Sequence, residues 1–148
     1  MSDEIQPWPV VRRGSRGHPV PALQYLLRAR GNPVTVDGIF GPKTEAAVEN
    51  FQTADQIGVD GIVGPQTWSH LIVVVASGST GDAVRGVQEE FTFRNLSGNS
   101  NQGLAVDGIF GPKTRAAVRG FQQALGITVD GIVGPVTWRA LVSGMLSF

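Results

Sequence analysis

Cysteine is absent from this chain of 148 residues. That excludes disulfides, thiolate zinc sites and a cysteine nucleophile. Histidine is almost absent: His18 and His70 are the only two, and they do not form a pair at metal-ligand spacing. A surplus of one charge is also missing. The 12 Lys and Arg residues balance 12 Asp and Glu, for a formal net charge of zero. A general nucleic-acid binder needs a basic excess to displace counterions, so no nucleic-acid partner is expected. The longest apolar run, LIVVVA at 71–76, falls far short of the roughly 20 residues that span a bilayer, so no membrane partner is expected. The opening stretch MSDEIQPWPVVRRG carries acids where a secretory signal carries positive charge, and no apolar core follows. No export signal is therefore read in this chain, and the route of any export is left open. Nor does the chain contain a G-x-S-x-G nucleophile turn, a P-loop or a glycine-rich dinucleotide fingerprint. Glu45 with Glu49, and Glu89 with Glu90, read as solvated faces of helices. The expectation is a protein that is not an enzyme and uses no cofactor or metal.

What the chain has in abundance is glycine, 20 residues, and proline, nine. Eight of these glycines and four of these prolines sit in one pattern, Asp-Gly-x-x-Gly-Pro-x-Thr. It occurs as DGIFGPKT at 37–44, DGIVGPQT at 60–67, DGIFGPKT at 107–114 and DGIVGPVT at 130–137. The bias is thus ordered punctuation rather than low complexity. Residues 36–71 align without a gap on 106–141, with 26 of those 36 positions identical. Upstream, GSRGHPVPALQYLL (14–27) matches GSTGDAVRGVQEEF (78–91) at an offset of 64. The difference places six extra residues within Arg94–Gly103, which reads as a longer surface loop. Even the lead-in repeats, Pro9-Val10-Val11 against Val73-Val74-Val75. No Gly/Ser or Pro-rich linker separates the copies.

The expected fold is mainly α: two tandem small three-helix bundles, 1–73 and 74–148, with short Asp-Gly and Gly-Pro turns. Each copy alone is near the lower size limit for an independent core. Helix 1 is predicted over 19–29 from Val20, Leu23 and Leu27, with Pro19 at its first position. In the second copy Asp82 stands as its N-cap. Helix 2 is predicted over 42–55, with Thr44, Ala47, Val48, Phe51 and Ala54 on one face. Helix 3 is predicted over 65–72, with Trp68 and Leu71 on one side. Differences between the copies on helix 2 fall along the opposite, solvated stripe, where Glu45 and Glu49 become Arg115 and Arg119. Either these exposed faces drifted, or they pair with each other or with different partners.

The repeated residues admit a structural and a functional reading. Asp37, Asp60, Asp107 and Asp130 can each accept backbone N–H bonds as an Asx-turn, and four equivalent joints favour architecture. Calcium loops need several oxygen ligands, whereas each loop here offers one carboxylate. Thr44 is placed to reach back to a free N–H. Gln24, Gln52, Gln88 and Gln122 each follow an apolar helix residue and can hold a loop or line a groove. Trp68 and Trp138 read as core, with stacking on a sugar as the rival. Phe40 and Phe110 lie in the loops and are the better candidates for a groove wall.

The ordered set Val20, Leu23, Gln24 and Leu27, then DGIFGPKTEAAVENFQ (37–52) and VDGIVGPQTWSHL (59–71), strongly resembles the bacterial peptidoglycan-binding domain family. The second copy carries DGIFGPKTRAAVRGFQ (107–122) and VDGIVGPVTWRAL (129–141). The resemblance implies a compact three-helix module whose Asp-Gly loops border a shallow groove, in a protein that tethers to the bacterial cell wall or acts outside the cell. It implies non-catalytic binding of peptidoglycan, through its glycan or its stem peptide, and association with a cell-wall hydrolase. The alternative is a protein–protein assembly module on the same fold, with a protein partner. The residues expected to contact ligand are Asp37, Phe40, Gln52, Asp60 and Trp68 in the first copy. In the second they are Asp107, Phe110, Gln122, Asp130 and Trp138.

Overall fold

The glycine–proline pairs set the helix starts. In the computed structural model, which describes residues 5–96 and 104–145, the helices are α1 (Val20–Ala29), α2 (Pro42–Ala54), α3 (Pro65–Leu71), α4 (Asp82–Leu96), α5 (Pro112–Leu125) and α6 (Pro135–Val142). The mainly-α expectation is met. Four of the six helices begin at the proline of a repeated turn, each after an extended glycine. Proline needs no N–H partner there, and its φ is already helical. α1 differs from expectation: Pro19 is its cap and Pro21 lies in its first turn.

Each joint is hydrogen-bonded to the segment that leads into the first helix of its repeat. Gly17 N donates to Gly38 O (2.8 Å), Phe40 N to Ser15 O (2.9 Å) and Val63 N to Val11 O (2.8 Å). The second repeat reproduces this, with Gly81 N to Gly108 O (2.9 Å), Phe110 N to Ser79 O (3.0 Å) and Val133 N to Val75 O (2.9 Å). These isolated antiparallel bridges satisfy loop groups that would otherwise be buried without partners.

The second joint residue after Asp-Gly points inward. Phe40, Val63, Phe110 and Val133 are all buried, alongside Trp68, Leu71, Trp138 and Leu141. Each tryptophan ring buries its body while its N–H finds a partner: Trp68 Nε1 donates to Pro9 O (2.7 Å) and Trp138 Nε1 to Val73 O (2.8 Å). On α2 the buried set is Thr44, Ala47, Val48, Phe51 and Gln52. Ala54, expected on that face, is exposed. Gln52 is buried instead because its amide has a joint to hold, as described below.

The repeats share one continuous core through α1 and α4. These helices run antiparallel: the start of α1 lies by the end of α4, where His18 stacks on Phe93 at 4.0 Å. At the other end Arg28 Nε lies 3.4 Å from Asp82 Oδ2. At the crossing, Gly86 stands beside Ala22 and Tyr25. Asp82 engages Arg28 and, at 2.9 Å, Arg85.

A buried polar cluster closes one side of this interface. Arg94, only 2% exposed, donates from Nη1 to Glu90 Oε1 (2.8 Å), from Nη2 to Leu141 O (3.0 Å) and from Nε to Met145 O (3.0 Å). His18 Nε2 lies 2.8 Å from the same Glu90 oxygen and 3.2 Å from Leu141 O. With acceptors on both sides, Nε2 is the ring nitrogen that carries the proton. Burial pulls the Arg94 guanidinium below its usual range, and Glu90 opposes that shift. Arg30, the counterpart of Arg94, donates from Nε to Leu71 O (3.0 Å) and also to the Ile72 carbonyl. In both repeats, then, an arginine at the end of the first helix satisfies carbonyls at the end of the third. Part of the segment read as a loop, from Arg94 to Leu96, is therefore helix. The rest of that expected loop, 97–103, lies outside the described residues.

Candidate functional site

The four joints are built by one repeated clasp. Gln24 Oε1 accepts from the backbone N–H groups of Asp37 (3.0 Å) and Gly38 (2.9 Å). Its Nε2 faces Asp37 Oδ1 (3.0 Å), Ile39 O (3.1 Å) and Thr44 Oγ1 (3.1 Å). Asp37 Oδ1 also accepts from Ile39 N (3.0 Å), which closes the Asx-turn. Gln52 does the same for Asp60 and Thr67, with Nε2 at 3.0 and 3.1 Å. Gln88 serves Asp107 and Thr114, and Gln122 serves Asp130 and Thr137. Both ends of a buried amide are thus used by one short loop, which fixes the path of that loop between two helices. The glycine after each aspartate has φ between 72° and 75°. An L side chain is strained there, so glycine is required.

This clasp revises the role expected of Thr44. Thr44 does not reach back to a free N–H; it accepts from the Gln24 amide, and α2 has no side-chain cap. Gln52 and Gln122 are buried within clasps, and Trp68 and Trp138 are fully buried. Phe40 and Phe110, expected as groove walls, are 1% and 2% exposed. They lie beneath the surface because the preceding isoleucine takes the outward position in the turn. Ile39, Ile109 and Ile132 are 42%, 58% and 42% exposed. The outward partners of the joints are therefore the isoleucines and the carboxylates of Asp37, Asp60, Asp107 and Asp130.

The Asp37 carboxyl is held below the ordinary aspartate range by the Gln24 amide and then the Ile39 N–H. Asp107 is held down likewise by the Ile109 N–H and the Gln88 amide. Hydrogen bonds to the charged form are the cause in both.

Two concavities flank the joints of the second repeat. One, of about 390 Å³, runs between the end of α5 and the start of α6 and is lined by Gln122, Ile127, Asp130, Ile132 and Val136. The other, of about 610 Å³, lies along α5 and is lined by Ser77, Phe110, Arg115, Arg119, Gly120 and Gln123. The second repeat thus brings Phe110, Gln122 and Asp130 to the borders of grooves, Phe110 as a floor. The stripe carrying the reversed charge does not simply face solvent. Glu45 and Glu49 lean over Gly61, and Arg115 and Arg119 lean over Gly131, so each stripe covers the second joint of its repeat. Sequence reasoning missed Ser77 and Ile132, which line the concavities, and Ile109, which is exposed on its joint. The charge reversal at 115 and 119 was the available signal. Among the described residues, no group of three His, Cys, Asp or Glu side chains could hold a metal ion. No helix among them is long and apolar enough to cross a membrane.

The family profile described as "Putative peptidoglycan binding domain" matches residues 16–71 and again 80–141. The chain belongs to this family. Both matches of the peptidoglycan-binding family begin in the turn before a first helix and end at or just before the close of a third. Among curated relatives, the chain is similar to an uncharacterized protein in the bpoA1 3' region of Kitasatospora aureofaciens. The two are 46% identical over 75 residues, covering 49% of this chain and 63% of the relative. It is also similar to the zinc D-Ala-D-Ala carboxypeptidase of Streptomyces albus G, 37% identical over 88 residues, 60% of this chain and 32% of that protein. A third relative, the N-acetylmuramoyl-L-alanine amidase CwlL of Bacillus licheniformis, is 31% identical over 149 residues, 80% of this chain and 41% of that one. The chain therefore spans between about a third and two thirds of the length of these relatives.

Proposed function

We propose that this chain binds bacterial cell-wall peptidoglycan through two tandem modules, 1–73 and 74–148, and does not cleave it. The observation that carries the reading is the family match in both halves, over helices and joints that are hydrogen-bonded alike. The grooves beside the joints suit the polymer chemically. Peptidoglycan presents amides, sugars and carboxylates, and the grooves offer side-chain amide, hydroxyl and apolar edges around a rigid backbone. Two weak sites on a repetitive polymer reinforce each other through effective concentration. The relatives named for wall peptidase and amidase activities extend well beyond the matched segment. The place of action on this reading is the cell wall or the extracellular space, in association with a wall hydrolase.

Incubation of the purified chain with insoluble bacterial sacculi tests the reading. The protein should sediment with the sacculi, and no soluble muropeptides should appear. Protein remaining in the supernatant across a range of salt and pH would overturn the binding; released muropeptides would overturn the non-catalytic part.

A further inference from the structure

The geometry points to a division of labour between the repeats: the groove along α5 is a carboxylate site, whereas on the equivalent face along α2 the arginine is matched by an acid of the chain itself. The inference rests on the peptidoglycan reading for the identity of the polymer, and on the groove itself for the chemistry.

The segments that border α2 and α5 correspond residue by residue. The turn at 12–15 and the turn at 76–79 have the same hydrogen bonds, with Ser15 N donating to Arg12 O and Ser79 N to Ala76 O, both at 2.9 Å. Arg13 and Ser77 therefore occupy one position. In the first repeat Arg13 Nη1 lies 3.6 Å from Glu45 Oε1, so the arginine from the turn meets the acid from the helix. In the second repeat the arginine of the turn has become serine and the acids of the helix have become Arg115 and Arg119. Neither of these arginines has an acidic partner among the described residues, and both line the concavity of about 610 Å³.

The placement of Arg115 is also locally unfavourable. α2 carries Glu45 in its first turn, where a negative charge suits the positive end of a helix. α5 has no acid in its first turn and carries Arg115 instead. A cation at that end gains nothing from the helix dipole, and the exposed Arg115 is open to an anion from outside the chain. Two guanidinium groups one helical turn apart present planar donor forks matched to a carboxylate. Ser77 and Gln123 add neutral donors at the rim. An extended polyanion fits poorly, because the whole chain carries no net positive charge and the equivalent face of the first repeat bears Glu45 and Glu49. An isolated carboxylate on an otherwise neutral peptide is the ligand class that remains, and a stem-peptide terminus has this chemistry.

The test uses the full chain and two readouts. In the first, wild type and the double variant Arg115→Gln/Arg119→Gln are sedimented with native sacculi and with sacculi whose carboxyls have been converted to amides. Glutamine keeps the methylenes that pack on Gly131, and circular dichroism checks the fold. Wild type should bind amidated sacculi at least tenfold more weakly than native ones, and the double variant should bind both equally weakly. In the second, isotope-labelled protein is titrated with N-acetyl-D-alanyl-D-alanine and with its C-terminal amide. The backbone resonances of Ser77, Arg119, Gly120 and Gln123 should shift with the acid and not with the amide. If native sacculi are not bound but the acid shifts these resonances, the carboxylate site stands and the peptidoglycan reading falls. If sacculi are bound equally by wild type and variant, and the acid causes no shift, the carboxylate site is overturned and the peptidoglycan reading stands.

Discussion

At the residue scale, the glutamine clasp does most of the shaping. Gln52 is fully buried and serves two backbone donors, Asp60 N and Gly61 N, together with acceptors of the same loop. Replacing it with leucine keeps the volume but leaves those groups without partners. Each orphaned buried group costs about 1–3 kcal/mol, so Gln52→Leu should destabilise the chain by about 2–4 kcal/mol in urea unfolding. A loss below about 1 kcal/mol would show that the clasp is ornamental. The aspartates contribute a pH dependence of defined sign. Asp37 and Asp107 have folded values below their unfolded ones, so their contribution is complete above about pH 4 and is lost as pH falls through the folded values. The double change Asp37→Asn/Asp107→Asn keeps an acceptor oxygen in each loop but removes the titration. It should flatten the acid limb of stability below about pH 4, measured by thermal melts at several pH values, and leave the alkaline side unchanged. The Asx-turns and the glycine positions were legible in the sequence because they follow from one residue and its near neighbours. That Phe40 is buried while Ile39 is exposed was not, because adjacent residues of an irregular turn have no periodicity to separate inside from outside.

At the scale of elements, helix starts were legible to within a residue or two, because glycine–proline pairs act locally. The crossing of α1 and α4 was not, since it depends on two faces meeting. Gly86 sits at that crossing, where the first repeat has Ala22. A Cβ built there would lie 3.4 Å from Trp138, 3.5 Å from Tyr25 Cβ and 3.6 Å from Ala22 O, all ordinary contact distances. Glycine within a helix costs about 0.8–1 kcal/mol relative to alanine. Gly86→Ala should therefore be neutral or stabilise the protein by up to about 1 kcal/mol. Gly86→Leu must push Trp138 or Tyr25 aside, and overpacking of this kind costs about 1–3 kcal/mol. Thermal melts of the pair separate the two effects, and destabilisation by alanine itself would show that the helices need closer approach than the distances imply.

At the scale of the whole molecule, the repeats are not beads on a string. The second repeat's Glu90, 1% exposed, stands where the first repeat has Leu26, and it joins His18 of one repeat to Arg94 of the other. Arg94 in turn holds Leu141 O and Met145 O, so the cluster ties α4 and the turn before α1 to the end of α6. Such a buried ion pair adds little net stability when intact, but removing one partner strands the other at a cost of about 3–5 kcal/mol. Glu90→Leu, which restores the residue of the first repeat, should therefore lower stability by that amount even though leucine is the more apolar choice. The double variant Glu90→Leu/Arg94→Met should recover only the part of the loss that comes from the stranded charge, because it leaves the Leu141 and Met145 carbonyls without their donor. If the shared core couples the halves, wild type will unfold in one transition, with calorimetric and van't Hoff enthalpies equal. Two resolved transitions in scanning calorimetry would show that α1 and α4 merely touch. The single transition expected here follows from the shared core: α1 and α4 bury one continuous cluster of side chains, and opening the first repeat also takes His18 away from Glu90 and Leu141 O.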